Sequence, residues 1–302
     1  MRALLLGARG AVGRVIDHEL SDAGNQVTRV GRTADSDATL DLYGDLSPLA
    51  VAAAEHDVVV NASGVERVEL AHACGGTPFV EISATGRYLA QLRDTAAEQS
   101  RLVLGVGLVP GLSTVLASSL GHSPGDDIDV LVMLGSGERH GPAAADWTAG
   151  LVGTDLYQPP EGAPVRNLTS SLRRSGPDGR TRRYLRADFP DHLLLGDPLE
   201  NGVRVRSWLT LSSALMTGAL ALVGHVPALR GVLRSSPHVG SDAWHLVVRN
   251  RRTGEHREAH GHGQSAATGR LTALAAIRAS ASCKAAVVTM ADLVSLEEAL
   301  AT

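Results

Sequence analysis

The first thirteen residues constrain the fold of this chain more than any other stretch. Residues 3–6 form a short apolar run without polar alternation, as expected for a parallel strand that is buried on both faces. Three glycines follow at intervals of three, namely Gly7, Gly10 and Gly13, and apolar residues then recur at helical spacing as far as Leu20. A strand, a glycine turn and a helix in this order predict the first element of a parallel sheet that binds a dinucleotide.

Each glycine of this turn has an expected role. Gly7 permits the tight turn, Gly10 lets the backbone approach a pyrophosphate, and Gly13 lets the helix pack closely on the strand. The start of the helix offers N–H groups and the positive end of its dipole to the phosphates. The residues expected to bind the cofactor here are Gly7, Ala8, Arg9, Gly10, Ala11, Val12 and Gly13. The alternative is a turn without a ligand, because the spacing departs from the commoner Gly-x-Gly-x-x-Gly.

Further along, strands and helices alternate and predict an α/β fold with a doubly wound parallel sheet in residues 1–122. Beyond a boundary at Gly121 to Gly125 the pattern changes, and turn signals at 175–179 and 253–254 predict hairpins. We therefore expect a second, α+β domain with a mostly antiparallel sheet in residues 125–262, for substrate binding or oligomerisation. The tail, residues 265–302, is predicted to pack back on the first domain.

Composition restricts the partners and the location. The 302 residues include 28 basic and 32 acidic ones, a net charge of −4, which gives no general reason to expect nucleic acid or membrane as a partner. The most apolar stretch, residues 209–223, is shorter than a membrane span and predicts a buried helix or one at an oligomer interface, so a homodimer is an open alternative. Two cysteines, and no signal peptide before the first strand, predict a cytoplasmic protein.

The end of the second strand predicts which cofactor is bound. Arg32 stands where chains that prefer NAD usually carry an acidic residue, and an arginine suits a 2′-phosphate. Gly31 and Thr33 would let this loop approach the phosphate, so the expected cofactor is NADP(H). An exposed arginine without a function is the alternative. Asp41, at the end of the predicted third strand, either meets the adenine edge or caps the next loop.

Small residues follow the fourth strand, where an open parallel sheet binds its ligands. The expected contacts to the nicotinamide ribose are Asn61, Ala62, Ser63 and Gly64, together with Ser83 after the fifth strand. An ordinary turn between strand and helix is the alternative for this segment.

The proton donor is less constrained. None of the four tyrosines is followed four residues later by lysine, which excludes the Tyr-x-x-x-Lys pair of short-chain dehydrogenases in its usual form. Other acids and bases remain as candidates, and a capping or surface role is the alternative for His140, Asp191 and His192. The candidates are Glu81, Tyr88, His140, Asp191 and His192. No metal site is expected, since no cysteine or acidic partner completes a metal-binding pattern with the three histidines between His256 and His262.

An arginine-rich stretch occupies residues 166–186. Solvated antiparallel strands around a turn are one interpretation. A site for an anionic substrate or an acidic carrier protein is the other.

Four segments of the chain carry a resemblance to a known family. They are Gly7–Gly13, Val60–Gly64, Phe79–Ser83 and Gly107–Gly111, with weaker support from Gly263–Gly269. On these segments the chain resembles the saccharopine dehydrogenase-like (saccharopine reductase) family of NAD(P)-dependent oxidoreductases. The resemblance covers the predicted first domain well and the second only in outline. It implies a Rossmann domain, a substrate domain with a mixed sheet whose last helices return to the first domain, and a substrate cleft between the two.

The sequence therefore predicts a cytoplasmic NADPH-dependent reductase. It would transfer hydride to a C=N, C=C or C=O bond of a small-molecule substrate, with the chemistry supplied by the cofactor and the protein positioning the substrate carbon. A regulatory or sensor protein that binds NADP without turnover is the alternative, because fold alone does not separate the two.

Overall fold

The computed structural model describes residues 1–31, 36–138, 142–195, 202–235, 240–282, 284 and 286–302. The chain divides into two compact units. The first unit comprises residues 1–115 and 265–302, and the second unit residues 116–264.

The first unit is built on a sheet in which all paired strands run parallel. Its strands are β1 (Arg2–Leu6), β2 (Gln26–Gly31), β3 (Ala38–Thr39), β4 (Val58–Asn61), β5 (Phe79–Glu81), β6 (Arg101–Leu104) and β13 (Ala286–Thr289). The order β13-β6-β5-β4-β1-β2-β3 contains the Rossmann order 3-2-1-4-5-6, and this confirms the predicted doubly wound parallel sheet. The apolar residues of β1 and β4 are fully buried because crossover helices cover both faces of such a sheet.

Helices connect these strands. They are α1 (Ala11–Asp22), α2 (Ser47–Ala54), α3 (Val68–Ala73), α4 (Gly86–Asp94), α5 (Ser113–Ser118), α9 (Gln264–Ser282) and α10 (Leu296–Ala301). Strand β13 was not expected from the sequence. That strand is only four residues long and pairs in parallel with β6, placing Val287 opposite Leu102. A run this short carries no periodicity of its own, so its pairing partner decides its structure.

The second unit is built on a six-stranded sheet in the order β12-β11-β7-β10-β9-β8. Its strands are β7 (Asp127–Leu134), β8 (Ser171–Ser175), β9 (Thr181–Arg186), β10 (Arg204–Leu211), β11 (Ala243–Asn250) and β12 (His256–His262). Neighbouring strands are antiparallel except for the parallel pair β7 and β10. The predicted, mostly antiparallel sheet and both predicted hairpins are therefore confirmed. The helices are α6 (Pro142–Leu151), α7 (Asp191–Leu194) and α8 (Ala214–His225), followed by a 3₁₀ helix, Pro227–Ser235.

One prediction in this unit is wrong in its first half. Residues 209–223 were expected to form a single helix, but β10 extends to Leu211 and α8 begins only at Ala214. The two serines between them interrupt the apolar run, and the Ser213 hydroxyl caps the helix by accepting the N–H of Met216 at 3.4 Å. Helix α8 leaves Leu215 77% exposed, so a homodimer through this helix stays a prediction. None of the described helices has the length and hydropathy that crossing a membrane requires.

Candidate functional site

Packing explains two of the three glycines in the turn after β1. Gly7 has φ +84°, and a Cβ there would lie 2.5 Å from both the carbonyl oxygen of Ala62 and Cα of Ser63. A Cβ on Gly13 would overlap the carbonyl oxygen of Gly7 and lie 3.0 Å from Cα of Ala8. A side chain at either position therefore collides with backbone that belongs to the fold itself.

Gly10 is different, because the fold does not require it. A Cβ there would meet only ordinary contacts, at 3.4 Å from the Gly7 carbonyl oxygen and 3.9 Å from that of Ala62. Its backbone angles, φ −63° and ψ 165°, are open to any residue. Gly10 is also exposed. The absence of a side chain at Gly10 therefore leaves space on the exposed side of the turn, where a ligand could approach the backbone.

The start of helix α1 faces the same opening. Gly10 is the N-cap residue and supplies no side-chain hydrogen bond to the first turn. The first intrahelical bond runs from the N–H of Arg14 to the carbonyl of Gly10, at 3.0 Å. The N–H groups of residues 11–13 come before this bond and have no acceptor within the helix. An anionic group at this helix end would satisfy them and would lie at the positive end of the dipole.

The segment after β4 packs directly on the glycine turn. The N–H of Ala62 donates to the carbonyl of Leu6 at 2.9 Å, so the segment starts in register with β1. The Asn61 side-chain oxygen accepts the N–H of Ser63 at 3.2 Å and its hydroxyl at 2.6 Å. The Ser63 hydroxyl oxygen in turn accepts the N–H of Val65 at 3.1 Å. These bonds close residues 61–65 into a compact loop, called the Asn61 loop below.

A buried carboxylate lies beside this loop. Glu81 ends β5 opposite Asn61 and is only 2% exposed. One carboxylate oxygen accepts the N–H of Ser83 at 2.8 Å, and the other accepts the Asn61 amide at 2.7 Å and the Tyr88 hydroxyl at 3.0 Å. Burial raises the pKa of Glu81 from its ordinary 4.5 to about 7, although these three hydrogen bonds oppose the rise.

Two of the predicted proton donors are thus hydrogen-bonded to each other. Tyr88, at 3% exposure, lies on α4, and burial raises the pKa of its hydroxyl, with the neighbouring Glu81 adding to the rise. Sequence reasoning missed Glu66, whose carboxylate accepts the Ser83 hydroxyl at 2.6 Å. That contact joins residues seventeen apart, and only the adjacency of β4 and β5 hints at it.

The end of β2 is described only in part. Arg32 and Thr33 lie outside the described residues, so their roles in cofactor binding stay predictions. Gly31 is described, and a Cβ there would overlap the hydroxyl of Ser36. Asp41 accepts the N–H of Tyr43 at 2.9 Å, which is the loop-capping alternative.

The other predicted donors belong to the second unit, and His140 lies outside the described residues. Asp191 is fully buried and accepts the hydroxyl of Ser207 at 3.0 Å. The ring nitrogens of His192 lie 2.8 Å from the carbonyl oxygen of Tyr157 and 3.3 Å from that of Phe189. A catalytic part for either residue stays a prediction.

The arginine-rich stretch is not uniformly solvated. Arg186 is 1% exposed, pairs with Glu161 at 3.4 Å and lies over the ring of Trp208. Arg182 pairs with Asp178 at 3.0 Å across the hairpin turn. These two arginines are thus paired within the second unit, and a site for an anionic substrate or an acidic carrier protein stays a prediction.

The sequence matches no protein-family model and no curated protein. A hyperthermophilic archaeal homoserine dehydrogenase in complex with NADPH is 13% identical, with 93% of this chain and 97% of that chain covered and a TM-score of 0.49.

Two further structures are similar at the same level. The DAP dehydrogenase of C. glutamicum in complex with DAP is 13% identical, with 97% of this chain and 94% of that one covered and a TM-score of 0.46. A dipicolinate-bound dihydrodipicolinate reductase from Paenisporosarcina sp. TG-14 is 13% identical, with 97% and 99% covered and a TM-score of 0.43. At this similarity the function of the chain rests on its own residues.

Proposed function

We propose that this chain is an NADP(H)-dependent reductase whose first unit binds the cofactor at the carboxyl ends of the parallel strands. The strand order reverses between β1 and β4, and ligands of open parallel sheets bind where the order reverses. The glycine turn follows β1 and the Asn61 loop follows β4. The two loops that flank the reversal are thus among those that the sequence singled out for cofactor binding.

Gly10 is the observation that carries the proposal. Its neighbours leave space for a side chain, its backbone is ordinary, and it caps a helix whose first N–H groups have no acceptor within the helix. A backbone that must approach a pyrophosphate explains a glycine at this position, whereas packing does not.

Different residues of the chain would bind different parts of the cofactor. The N–H groups of residues 11–13 would hold the pyrophosphate, and Arg32 with Arg9 would meet the 2′-phosphate. The Asn61 loop would line the path of the nicotinamide ribose. When bound, the cofactor supplies the hydride, and the protein binds and orients a substrate that carries a C=N, C=C or C=O bond. The saccharopine dehydrogenase-like subtype is the finer form of this proposal.

Two measurements test the proposal. Titration of the full chain with NADPH and NADH, followed by nicotinamide fluorescence, should give saturable binding with NADPH preferred. NADPH oxidation should then be followed with panels of imines, enoyl compounds and ketones. No binding of either nucleotide overturns the proposal. Binding without turnover on all three panels rejects the reductase and leaves the NADP-binding regulator.

A further inference from the structure

Both oxygens of the Glu81 carboxylate are engaged by groups of the protein. It is buried, and its two oxygens accept three hydrogen bonds, from the Ser83 N–H, the Asn61 amide and the Tyr88 hydroxyl. A proton donor to a substrate must reach the substrate directly or through one water. Both oxygens of Glu81 instead point at groups of the protein.

Asn61 transmits this constraint to its loop. Its amide nitrogen donates to Glu81 at 2.7 Å and to the carbonyl of Val65 at 3.1 Å. Its amide oxygen accepts both the N–H and the hydroxyl of Ser63. If the amide turned over, its oxygen would face two acceptors and its nitrogen would face the Ser63 N–H. The carboxylate therefore selects one orientation of Asn61, and that orientation folds residues 61–65.

The loop then fixes the glycine turn. The Ala62–Ser63 peptide lies so close to Gly7 that a single added carbon would be 2.5 Å from two of its atoms. Since no side chain separates the two segments, a shift of the loop has to shift the turn. The chain of contacts runs from Glu81 through Asn61 and Ser63 to Gly7.

We propose that Glu81 is a positioning residue of the cofactor site, which acts through Asn61 and Ser63 on the shape of the glycine turn. The inference rests on the proposed binding of NADP(H). It replaces the expectation that Glu81 donates a proton to the substrate. The form that holds the loop is the carboxylate, because Asn61 and Tyr88 both donate to the same oxygen.

Protonation of Glu81 disturbs this arrangement. A hydroxyl on that oxygen would face two donors, so Tyr88 would have to turn toward the carbonyl of Arg67, which lies 3.4 Å from its hydroxyl. The titratable groups that act on Glu81 are Tyr88 on α4 and Glu66 before α3. Tyr88 stabilises the carboxylate through its hydrogen bond, and Glu66 destabilises it through its charge. Removing the Tyr88 hydroxyl should therefore raise the pKa of Glu81, and removing the Glu66 charge should lower it.

The first experiment measures the loop without any cofactor. Amide hydrogen exchange is compared between the parent, Glu81→Gln and Asp57→Asn. Asp57 is a matched control, since its carboxylate accepts the N–H of Arg2 at 2.6 Å at the opposite end of β4. We expect exchange in residues 62–65 to rise about tenfold or more in Glu81→Gln and to stay at the parental rate in Asp57→Asn. Unchanged exchange in Glu81→Gln overturns the relay, whether or not NADPH binds.

The second experiment measures NADPH affinity across neutral pH. In the parent, the affinity should fall as pH drops through about 7, where Glu81 takes up its proton. Glu81→Gln should bind about tenfold more weakly at alkaline pH and lose this inflection. Parental affinity and an unchanged inflection in this variant overturn the proposal. A parent that does not bind NADPH instead overturns the proposed function, while the exchange result still stands.

Two milder variants keep the test decisive if Glu81→Gln does not fold. Tyr88→Phe keeps the buried ring and removes one donor, so the inflection should move to higher pH. Glu66→Gln removes a nearby negative charge, so the inflection should move to lower pH. A structural role without titration of Glu81 would produce neither shift, and the absence of both would overturn the proposal.

Discussion

A side-chain carbon on Gly13 would overlap the carbonyl oxygen of Gly7 and lie 2.9 Å from its carbonyl carbon. At Gly13, helix α1 thus lies against the backbone that directly follows β1. Gly13→Ala should lower the free energy of unfolding by about 1–3 kcal/mol, because the obstacle is backbone and cannot rotate away. Denaturant unfolding measures the loss.

Gly24→Ala is the matched control. Gly24 follows the same helix at φ +77° and has no atom within 4 Å of an added carbon. Its substitution costs only the backbone strain of a left-handed residue, about 1–2 kcal/mol. Gly13→Ala should also displace α1 from β1 and thereby lower the affinity for the cofactor. Gly24→Ala should keep the affinity of the parent. Equal affinities in the two variants would contradict this account of Gly13.

Gly10→Ala should separate folding from binding. An alanine fits the observed backbone and meets only ordinary contacts, so stability should fall by no more than about 1 kcal/mol, mainly from a poorer helix cap. NADPH affinity should fall by about tenfold or more, because the methyl group occupies the space above the turn. Fluorescence titration and thermal unfolding of the same preparation measure both. Parental affinity in this variant would remove the main support for the proposed site.

Local patterns were enough to predict the parallel sheet. Residues 3–6 and 58–60 are continuous apolar runs, and such runs belong to strands that are buried on both faces. The glycine turn could also be predicted, because side chains on Gly7 and Gly13 would collide with the backbone of the turn or of the loop after the neighbouring strand.

Other features depend on distant partners and could not be predicted. Glu81 and Asn61 are twenty residues apart, and only the pairing of β4 with β5 brings them together. Helix α3 begins only at Val68, because residues 61–65 are held in the Asn61 loop. The short strand β13 exists because the exposed edge of β6 offers it a partner.

Cofactor preference is a prediction about Arg32. A guanidinium can meet the 2′-phosphate with a forked, charge-assisted pair, so the parent should favour NADPH over NADH by about tenfold or more. Arg32→Ala should lose most of this margin while binding NADH about as before. Asp37 follows this loop. Its carboxylate accepts the N–H of Arg29 at 2.8 Å and pairs with the Arg29 guanidinium, so the negative charge of Asp37 is held against β2. An unchanged ratio of the two affinities would exclude Arg32 as the cause.

The stability of the second unit should depend on the Asp129 carboxylate. This carboxylate is 1% exposed and accepts the Trp208 indole N–H at 2.9 Å and the Arg251 guanidinium at 2.7 and 2.8 Å. Asp129→Ala leaves a buried indole N–H without an acceptor and should cost about 2–4 kcal/mol in the free energy of unfolding.

Asp155→Ala provides the comparison. It breaks an ion pair with Arg166 in which both side chains are about half exposed, 49% and 56%, so its cost should be no more than about 1 kcal/mol. Chemical unfolding followed by tryptophan fluorescence measures the loss, since Trp147, Trp208 and Trp244 all lie in the second unit. Similar losses in the two variants would show that the Asp129 cluster does not stabilise the unit.

Stability should depend on pH through Glu81. Its pKa is about 7 in the folded chain because of burial, against an ordinary value of 4.5. Between these values the folded state holds a proton that the unfolded state has released, so this contribution to stability is present below pH 4.5 and lost as pH rises through 7. Glu81→Gln has no such proton. As pH rises across this window, the unfolding free energy of the parent should therefore fall relative to that of Glu81→Gln, on the order of 3 kcal/mol. Asp57→Asn, which leaves Glu81 in place, should keep the slope of the parent. Parallel curves for the parent and Glu81→Gln would mean that the buried carboxylate titrates at the same pH in the folded and unfolded chains.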